Sequence, residues 1–255
     1  MKNIYNKLSE YYESKQQLWI VTITSNTGSI PGQVGMKMLV NLTGEIDGTV
    51  GGGLLENKVI NRVLKEKPNK STLWTYELND DFTKETGMIC GGSLSFLIEP
   101  LIEGEQMYIY GAGHCAMALS ELAAKCGFLV TVIDDRTDWA NKEKHPQAFN
   151  TICCDFSQIL NFVDIYSKNY HIIMTHGHKN DEKILKLLID KNLFYLGMIG
   201  SKQKVKISFD SLRNQGTSED LINKVKAPIG ISIGSHHPFE IAVSIMAEII
   251  QIKNN

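Results

Sequence analysis

The sequence predicts an α/β protein in which a mixed α+β domain precedes a doubly wound parallel sheet. From residue 107 onward, short apolar runs alternate with segments of helical periodicity, as in parallel sheets covered by helices on both faces. Before residue 102, β-rich runs follow one another closely and include a hairpin about Thr43-Gly44. A polar break, IEGEQ, lies just past Pro100. We therefore predict domains at residues 1–102 and 105–255.

The predicted elements of the first domain begin with a helix over residues 2–15 and a buried strand over residues 18–27. A loop follows at residues 28–35, because its glycines and its proline interrupt regular structure. After the hairpin come an amphipathic helix, LLENKVINRVLKEK, and two strands, LWTYEL and SLSFLIEPL.

The second domain is predicted to alternate strictly between strands and helices after its first βαβ unit. The predicted order is strand FNTICC, helix FSQILNFVDIYSK, strand YHIIMTHGH, helix DEKILKLLIDK, strand FYLGMIGSK, and helical stretches around SEDLINKV. The closing helix has Pro238 in its first turn. We expect an inner stripe of Ile241, Ala242, Ile245, Ile249 and Ile250, with Glu240, Ser244 and Glu248 outside.

Composition favours a globular protein of the cytoplasm. An apolar fraction of 43% is sufficient for a core, and a net charge of −2 argues against general nucleic-acid or membrane-surface binding. No apolar run approaches the length of a membrane span, and the N-terminus reads as a polar amphipathic helix and not as a signal peptide. Five cysteines without a disulfide framework indicate reduced thiols. We expect a cytoplasmic location and no nucleic-acid or membrane partner.

The most informative stretch is MYIYGAGHCAMALSELAAKCGFLVTVIDDR, residues 107–136. It reads as strand, glycine turn, helix and strand, with an acidic residue 23 positions after the first glycine. This is the dinucleotide-binding pattern G-x-G-x-x-A of Rossmann-like domains.

Each position of this pattern has a physical role in binding a phosphate. Gly111 allows a sharp turn, Gly113 lets backbone N–H groups approach a pyrophosphate, and Ala116 keeps the helix close to the sheet. Asp134 would accept hydrogen bonds from a ribose. The remaining candidate binding residues of this unit are Ala112, His114, Cys115 and Arg136. The alternative is a βαβ unit that packs well and binds nothing.

Further candidates lie at the carboxyl ends of later strands, where ligands of doubly wound sheets bind. His176 is the best general acid/base candidate, and the alternative is a histidine satisfied by local backbone. Gly200 and Ser201 could form a second anion site at a helix N-terminus, with Lys202 and Lys204 nearby. The alternative for Ser201 is a plain helix cap.

We predict no metal site. His176-Gly177-His178 and His236-His237 lack the helical i, i+4 spacing and a companion Cys-x-x-Cys or Glu at ligand spacing. Cys153 and Cys154 are adjacent in a predicted strand, so their side chains point to opposite faces.

The first domain carries two glycine-rich turns that could meet a ligand. Gly51, Gly52 and Gly53 precede a helix that contains Glu56, so an anion or a ligand close to the backbone could approach that helix end. Cys90 is followed by Gly91 and Gly92, which would make its thiol accessible for chemistry. The alternative in both places is a tight turn that needs glycine.

Ordered blocks along nearly the whole chain resemble the XdhC/CoxI family of xanthine dehydrogenase accessory proteins. The blocks are GSIPGQVGMKMLV, TVGGGLLENKVI, GMICGGSLSFLIEP, IYGAGHCAMAL, VIDDR, IIMTHGHKNDEKIL, YLGMIGSKQK and PIGISIGSHHPFEIAVSIMAEI. The resemblance implies an XdhC/CoxI-type N-terminal domain, a Rossmann domain, and a chaperone of the molybdenum cofactor. Such proteins bind molybdopterin, protect it while a cysteine desulfurase installs the sulfido ligand, and help insert it into a molybdenum hydroxylase.

The resemblance also assigns positions in the first domain. The family's GGGCLE block falls on residues 51–56, with Leu54 where cysteine is common, and its CGGR-like block falls on residues 90–93 with Ser93 last. The arginines that usually follow GSxP are absent, whereas Lys37 is kept as a candidate cofactor contact. By this resemblance Cys90 would contact the metal centre or relay sulfur.

We interpret the chain as a cofactor-binding maturation factor for a xanthine dehydrogenase-like hydroxylase, which fits the residues better than a catalyst does. The expected partners are the hydroxylase, a cysteine desulfurase and a second copy of the chain. The alternative is an NAD(P)-dependent oxidoreductase that uses residues 111–116, Asp134 and His176, with Arg136 leaving NAD and NADP both open. A nucleotide-sensing regulator is a third hypothesis.

Overall fold

The structure is a computed structural model that describes residues 4–14, 17–28, 32–78, 92–163, 165, 168–234 and 236–255. It divides into two compact units, Met1–Gly104 and Glu105–Asn255, each of which is described by itself. The predicted fold class is confirmed: an α+β unit with an antiparallel sheet precedes a unit with a parallel sheet.

The first unit is built on an antiparallel sheet. Its helices are α1 (Ile4–Glu13) and α2 (Gly53–Glu66). Its strands are β1 (Leu18–Gly28), β2 (Lys37–Asn41), β3 (Ile46–Gly48), β4 (Thr72–Leu78) and β5 (Gly92–Pro100), in the spatial order β3-β2-β1-β5-β4. Alternate residues of β5 are buried, and the buried stripe of α2, Leu55, Val59 and Val63, joins the same core. One face of the sheet therefore packs on α2.

The second unit is a doubly wound parallel sheet. Its strands are β6 (Glu105–Tyr110), β7 (Phe128–Asp134), β8 (Asn150–Cys153), β9 (Tyr170–Ile173) and β10 (Tyr195–Met198), in the order β10-β9-β6-β7-β8. Its helices are α3 (His114–Lys125), α4 (His178–Leu188), α5 (Lys202–Asn214), α6 (Glu219–Ile222) and α7 (Pro238–Asn254). The chain runs from β6 outward through β7 and β8, then returns to the other side of β6 to form β9 and β10. Ligands of such sheets bind at the point where the direction changes, which here lies between the carboxyl ends of β6 and β9.

Successive side chains of β6 show why helices are needed on both faces. Met107 and Ile109 pack into the core that contains α3 and α7, whereas Tyr108 and Tyr110 pack into the core that contains α4 and α5. A strand buried on both faces is expected to be apolar throughout. The MYIY run has this property, and it made the strand easy to predict.

Two predicted elements are shorter in the structure. In the predicted helix over residues 156–168, the described residues form a 3₁₀ helix, Phe156–Asn161, that ends before residues 162 and 163. Phe156 and Ile159 are buried at the i, i+3 spacing that suits this tighter turn. The predicted strand over residues 170–178 ends at Ile173, because the chain then bends toward Gly177, whose φ of 113° leads into α4.

The closing helix departs from its predicted stripe at two residues. Ser244 was expected outside but is buried, and its hydroxyl donates to the Ile231 carbonyl at 2.5 Å. A Cβ at Gly230 would lie 2.4 Å from Ser244 Oγ, so the loop before α7 packs directly on this position. Ile250, expected inside, is 37% exposed.

Candidate functional site

The turn between β6 and α3 has the geometry of a phosphate-binding turn, and its first glycine is required by packing. Gly111 has a φ of 106°, and a Cβ there would lie 2.3 Å from the Met174 carbonyl oxygen. Its N–H donates to the Ile133 carbonyl at 2.7 Å. Only glycine combines that dihedral angle with such a close approach to the end of β9.

The second glycine of the turn is not required by packing. Gly113 is the N-cap of α3 with an ordinary φ of −71°, and a Cβ built there meets nothing within 4 Å. Among the residues that the structure describes, no side chain caps this helix end, and the first turn of the helix carries no acidic residue. The N–H groups of the first turn therefore face space that a ligand anion could fill. Ala116 is buried against the sheet, as the G-x-G-x-x-A pattern predicts.

Asp134 lies at the end of β7 but does not present its carboxylate outward, contrary to the role expected for it. Oδ2 accepts from the Ala112 N–H at 2.7 Å and from Arg136 Nη2 at 2.9 Å. Oδ1 accepts from the Arg136 N–H at 3.1 Å and from Arg136 Nε at 2.7 Å. Only 1% of the side chain is exposed. The carboxylate thus joins the glycine turn to β7 instead of reaching toward a ribose.

The electrostatics of Asp134 agree with this arrangement. Burial by itself would raise the pKa of Asp134, but the hydrogen bonds from the Arg136 side chain and the Ala112 N–H outweigh it and hold the pKa below its ordinary value. The pKa of Arg136 is raised, chiefly by its hydrogen bond to Asp134. Both groups are therefore charged throughout the physiological range.

A buried histidine holds the other side of the turn. His145 Nε2 lies 3.3 Å from the Ala112 carbonyl oxygen, and its Nδ1 lies 3.0 Å from Ser120 Oγ on α3. Burial lowers the pKa of His145, so the imidazole is neutral. Because Ala112 gives its N–H to Asp134 and its carbonyl faces His145, the turn is held in one conformation before any ligand arrives.

Two cationic side chains and one histidine ring lie near the indole of Trp139. The Arg136 guanidinium carbon lies 5.1 Å from the Trp139 ring centroid and Lys144 Nζ lies 5.7 Å from it. The ring of His114, the first residue of α3, meets the indole edge-on with the centroids 5.5 Å apart. Cys115 is half-buried and burial raises the pKa of its thiol, so it is not an activated nucleophile.

A cavity of about 180 Å³ opens at the carboxyl edge of the sheet. His176 lines it, as expected for a residue that follows β9, and the other lining residues are Asp134, Asp135, Arg136, Phe156 and Asn180. His176 is exposed. Its general acid/base role stays a prediction.

Of the two lysines expected near the Gly200-Ser201 turn, Lys202 and Lys204, the second is engaged elsewhere. Ser201 caps α5 by accepting from the Lys204 N–H at 3.2 Å, which is the plain-cap alternative. The Lys204 ammonium is instead paired with Asp181, a completely buried carboxylate. Asp181 also accepts from the Thr175 N–H at 3.0 Å and from its hydroxyl at 2.6 Å. A Cβ at Gly200 would lie 2.9 Å from Lys204 Cδ, so this glycine makes room for the lysine stem.

The triple-glycine turn of the first unit is already occupied by a carboxylate of the chain. Glu56 Oε2 accepts from the Thr49 hydroxyl at 2.6 Å and from the N–H groups of Val50 and Gly52 at 3.0 and 3.2 Å. Gly51, Gly52 and Gly53 all have positive φ, from 72° to 121°, so the turn needs glycine for its own conformation. An external anion would have to displace Glu56, contrary to the expectation that this helix end is open.

Of the other candidates of the first unit, the structure describes Lys37 and Gly92. Lys37 Nζ donates to Thr22 Oγ1 at 2.8 Å across neighbouring strands. Gly92 begins β5 and pairs with Gly28 of β1. Cys90 and Gly91 lie outside the described residues.

Sequence reasoning did not identify several side chains that shape the site of the second unit. His145, Ser120 and Trp139 come from a loop and a helix face whose contacts no motif encodes, and Asp181 lies in an ordinary amphipathic helix. The described residues contain no group of three or more His, Cys, Asp or Glu side chains that could hold a metal ion. Within the same residues, no helix is long and apolar enough to cross a membrane.

Comparisons with known proteins bear on the same regions. The family model described as XdhC Rossmann domain matches residues 107–249, and the model described as XdhC and CoxI family matches residues 12–76. The uncharacterized protein YqeB of Escherichia coli (strain K12) is 32% identical over 255 residues, which cover 99% of this chain and 47% of that protein. A probable xanthine dehydrogenase subunit of Bacillus subtilis (strain 168) is 30% identical over 148 residues, 58% of this chain and 43% of that protein.

The chain spans about half the length of these curated relatives, 47% and 43%. A crystal structure of a xanthine dehydrogenase from Bacillus halodurans aligns with 98% of this chain and 95% of its own, with a TM-score of 0.54 and 23% identity, and so shares the fold. The two family models contain seven of the eight sequence blocks in the same order, and GMICGGSLSFLIEP lies between the matched ranges. The resemblance to the family is confirmed. The chain belongs to the XdhC and CoxI family.

Proposed function

We propose that this protein is an accessory factor that binds a phosphate-bearing molybdopterin-type cofactor at the glycine turn and supports its sulfuration and insertion into a molybdenum hydroxylase. The observation that carries the proposal is the open end of α3. Gly113 has no conformational need to be glycine and no neighbour within 4 Å of a Cβ, yet the helix end behind it is uncapped. A glycine in that position is explained by a ligand that approaches the backbone closely.

The residues fit the phosphate end of such a cofactor. The first-turn N–H groups of α3 would hold the phosphate, because they and the helix dipole favour an anion. Asp134 and His145 would keep the turn in its binding conformation through Ala112. When bound, the cofactor supplies a molybdenum centre with its pterin ligand, and this chain would orient it and shield it from water.

The choice of partner rests on the named relatives. One curated relative carries the name of a probable xanthine dehydrogenase component, and a structure of the same fold is named xanthine dehydrogenase. A hydroxylase of that class is therefore the partner we propose, with a cysteine desulfurase as the source of sulfur and a second copy of this chain as a further partner.

The test is to co-express the protein with the enzymes of cofactor synthesis and to measure pterin in the purified protein after oxidation to its fluorescent form. We expect up to about one pterin molecule per protein chain. A known carrier purified in parallel controls for cofactor supply. Absence of pterin while that carrier is loaded would contradict the proposal.

Cys90 is the residue we propose to meet the metal centre or to relay sulfur. We expect Cys90→Ser to lower the activity and the sulfido content of the co-expressed hydroxylase without changing the thermal stability of this protein. Cys126→Ser, at an exposed thiol on the end of α3, is the matched control. Unchanged sulfido content in the Cys90→Ser experiment would rule out a role for the thiol.

A second candidate function is an NAD(P)-dependent oxidoreductase. It is favoured by His176, which lines the cavity at the sheet edge together with Arg136 and Asn180. Turnover of a carbonyl or alcohol substrate with a nicotinamide cofactor, lost in His176→Gln, would support this function over that of a carrier.

A further inference from the structure

His145 is a buried titratable side chain beside the glycine turn. It comes from the loop after β7, and 1% of it is exposed. Its Nε2 lies 3.3 Å from the Ala112 carbonyl oxygen, and its Nδ1 lies 3.0 Å from Ser120 Oγ. Ser120 is equally buried, and its Oγ also lies 2.9 Å from the Met117 carbonyl oxygen. These contacts form a hydrogen-bonded chain that runs from the glycine turn into α3.

The hydrogens of this chain follow from the chemistry of its atoms. A carbonyl oxygen can only accept, so Nε2 carries the hydrogen that points to Ala112. In the neutral imidazole Nδ1 is then an acceptor, and the Ser120 hydroxyl donates to it. In the charged imidazolium Nδ1–H donates to Ser120 Oγ, and the hydroxyl hydrogen turns to the Met117 carbonyl. Both protonation states of His145 therefore complete their hydrogen bonds without the movement of a heavy atom.

The Ala112–Gly113 peptide connects His145 to the other side of the turn. This peptide bond is trans, so its carbonyl and its N–H point in opposite directions. Because the carbonyl faces the buried imidazole, the Gly113 N–H points away from it. Among the described residues, this N–H has no hydrogen-bond partner. A hydrogen bond to the carbonyl polarises the peptide and makes its N–H a stronger donor to an anion, and a charged imidazolium does so more strongly.

The surroundings of His145 keep it neutral until a further negative charge arrives. Burial lowers its pKa below the ordinary 6.5, and the hydrogen bond to Ala112 and the charge of Asp134 offset this only in part. Asp134 is itself paired with Arg136, and α3 presents a neutral hydroxyl to the ring. The charged side chains next to His145 in its own loop are exposed, and they belong to Lys142, Glu143 and Lys144. An anion at the turn would add to the effect of Asp134 and favour the imidazolium.

We propose that His145 is a proton-accepting positioning residue of the anion site: when an anion binds the Gly113 N–H, a proton from solvent adds to Nδ1, and the Ser120 hydroxyl turns from Nδ1 to the Met117 carbonyl. This inference rests on the proposed phosphate binding at the turn and adds its regulation. Because binding takes up a proton, anion affinity increases as pH falls. The window lies between the pKa of His145 in the free protein, which is below 6.5, and its raised pKa in the complex.

The experiment is a pH titration of the purified full chain, labelled with ¹⁵N in its histidine rings, with and without saturating sodium sulfate at constant ionic strength. Sulfate is the probe because it stays doubly charged in this range, whereas a phosphate monoester gains a proton at about pH 6. The nitrogen shifts report the tautomer and the pKa of each ring. We expect the Nε2–H tautomer for His145 and a rise of its pKa by about one pH unit or more with sulfate. That rise corresponds to sulfate binding about tenfold more tightly to the charged form.

Two variants separate proton uptake from a purely structural role. His145→Gln keeps a side-chain donor for the Ala112 carbonyl but cannot titrate, so we expect sulfate to bind with an affinity that no longer rises as pH falls. Ser120→Ala keeps the contact with Ala112 but removes the acceptor for Nδ1–H, so the rise of the His145 pKa with sulfate should shrink. His236→Gln, at an exposed histidine, is the matched control and should keep the wild-type pH dependence. His114→Gln tests a competing histidine at the start of α3.

A His145 pKa that saturating sulfate leaves unchanged would overturn the inference, as would the Nδ1–H tautomer or the absence of sulfate binding. A pH dependence that is lost in His114→Gln and kept in His145→Gln would also overturn it. If His145→Gln does not fold, the wild-type and Ser120→Ala titrations decide. Pterin in the protein purified from cofactor-synthesising cells, together with an unresponsive His145, would sink this inference and leave the proposed function standing. Absence of pterin with a His145 pKa raised by sulfate would do the reverse.

Discussion

Gly111 and Gly113 are two residues apart in one turn, and they are glycine for different physical reasons. Gly111 has a positive φ and would place a Cβ against the Met174 carbonyl, so the packing of β6 against β9 depends on it. Gly113 has an ordinary φ and open space around its Cβ position. Packing explains the first residue, and close approach of a ligand is the explanation that we propose for the second.

We therefore expect the same substitution to cost much more stability at Gly111 than at Gly113. Gly111→Ala should destabilise the protein by about 3 kcal/mol or more, because it combines backbone strain with overpacking. Gly113→Ala should change the free energy of unfolding by less than about 1 kcal/mol. Chemical denaturation monitored by circular dichroism measures both. Similar large losses at both positions would contradict the distinction.

The sequence was sufficient to predict this turn but not the role of Asp134. Spacing locates an acid at the end of β7, whereas the donors around it, the Ala112 N–H and the Arg136 side chain, depend on how the chain turns after the strand. The same limit applies to His145, which meets the turn from 33 residues away in sequence. Contacts between residues so far apart in sequence leave no periodic pattern from which they could be predicted.

Three elements meet at a buried ion pair beside the sheet edge. Asp181, in the first turn of α4, accepts from Thr175 after β9 and from Lys204 in the first turn of α5. Asp181 is completely buried and the Lys204 side chain is 15% exposed. The pair therefore fixes where α4 and α5 begin relative to β9.

Removing one partner of this pair should be costly. We expect Asp181→Ala to destabilise the protein by about 3–5 kcal/mol, because Lys204 is left with an uncompensated buried charge. Asp190→Ala removes an exposed partner of Lys191 and should cost less than about 1 kcal/mol. Urea denaturation of the two variants gives the comparison. A loss below about 1 kcal/mol for Asp181→Ala would mean that water reaches Lys204.

A second buried polar contact joins β6 and β9. His171 Nδ1 lies 2.8 Å from the Tyr110 hydroxyl, and its ring stacks against Tyr108 with the centroids 5.1 Å apart. Its Nε2 is buried with no hydrogen-bond partner among the residues that the structure describes. Burial lowers the pKa of His171 from 6.5 to about 3. The folded sheet therefore holds the neutral imidazole.

This lowered pKa makes stability depend on pH with a definite sign. The unfolded chain takes up a proton at His171 below pH 6.5 while the folded chain resists it, so stability is complete above pH 6.5 and falls as pH decreases toward about 3. His171 should contribute a loss of roughly 1.4 kcal/mol per pH unit in that window. We expect His171→Phe to reduce the slope of the unfolding free energy against pH by an amount that corresponds to at most one bound proton. The control is His236→Phe, at an exposed histidine. An unchanged slope in His171→Phe, from urea denaturation at pH 4.5 to 7, would refute this.

At the scale of elements, periodicity predicted the helices and strands that bury a regular face. It was wrong where a neighbouring loop determines burial, as at Ser244, which is covered by residues 230–231. It was also wrong for residues 156–163, where a buried i, i+3 pair lies in a 3₁₀ helix and not in the predicted α-helix. Both errors arise from tertiary contacts that override local pattern.

Each unit has a helix that begins after a glycine turn, and the two helix ends differ in whether a carboxylate of the chain already binds there. In the first unit, the Glu56 carboxylate fills the turn before α2 with three hydrogen bonds. In the second, α3 has neither a side-chain cap nor an acid in its first turn. The proposed binding of an anion would therefore need no displacement of Glu56-like side chains in the second unit, whereas in the first unit it would have to displace Glu56. The fold and family of both units were predictable from the ordered blocks, whereas this difference depends on where one side chain points.

The central claim is that the open end of α3 holds a phosphate-bearing pterin cofactor, and Gly113→Val tests it most directly. The variant, the wild type and Gly216→Ala are purified from cells that synthesise the molybdenum cofactor, and pterin and phosphate are measured per chain. Gly216, at the carboxyl end of α5, has a φ of 87° and open space, so its change to Ala controls for mild destabilisation. We predict pterin and phosphate in the wild type and in Gly216→Ala, and their loss in folded Gly113→Val. Equal loading of all three proteins would contradict the claim.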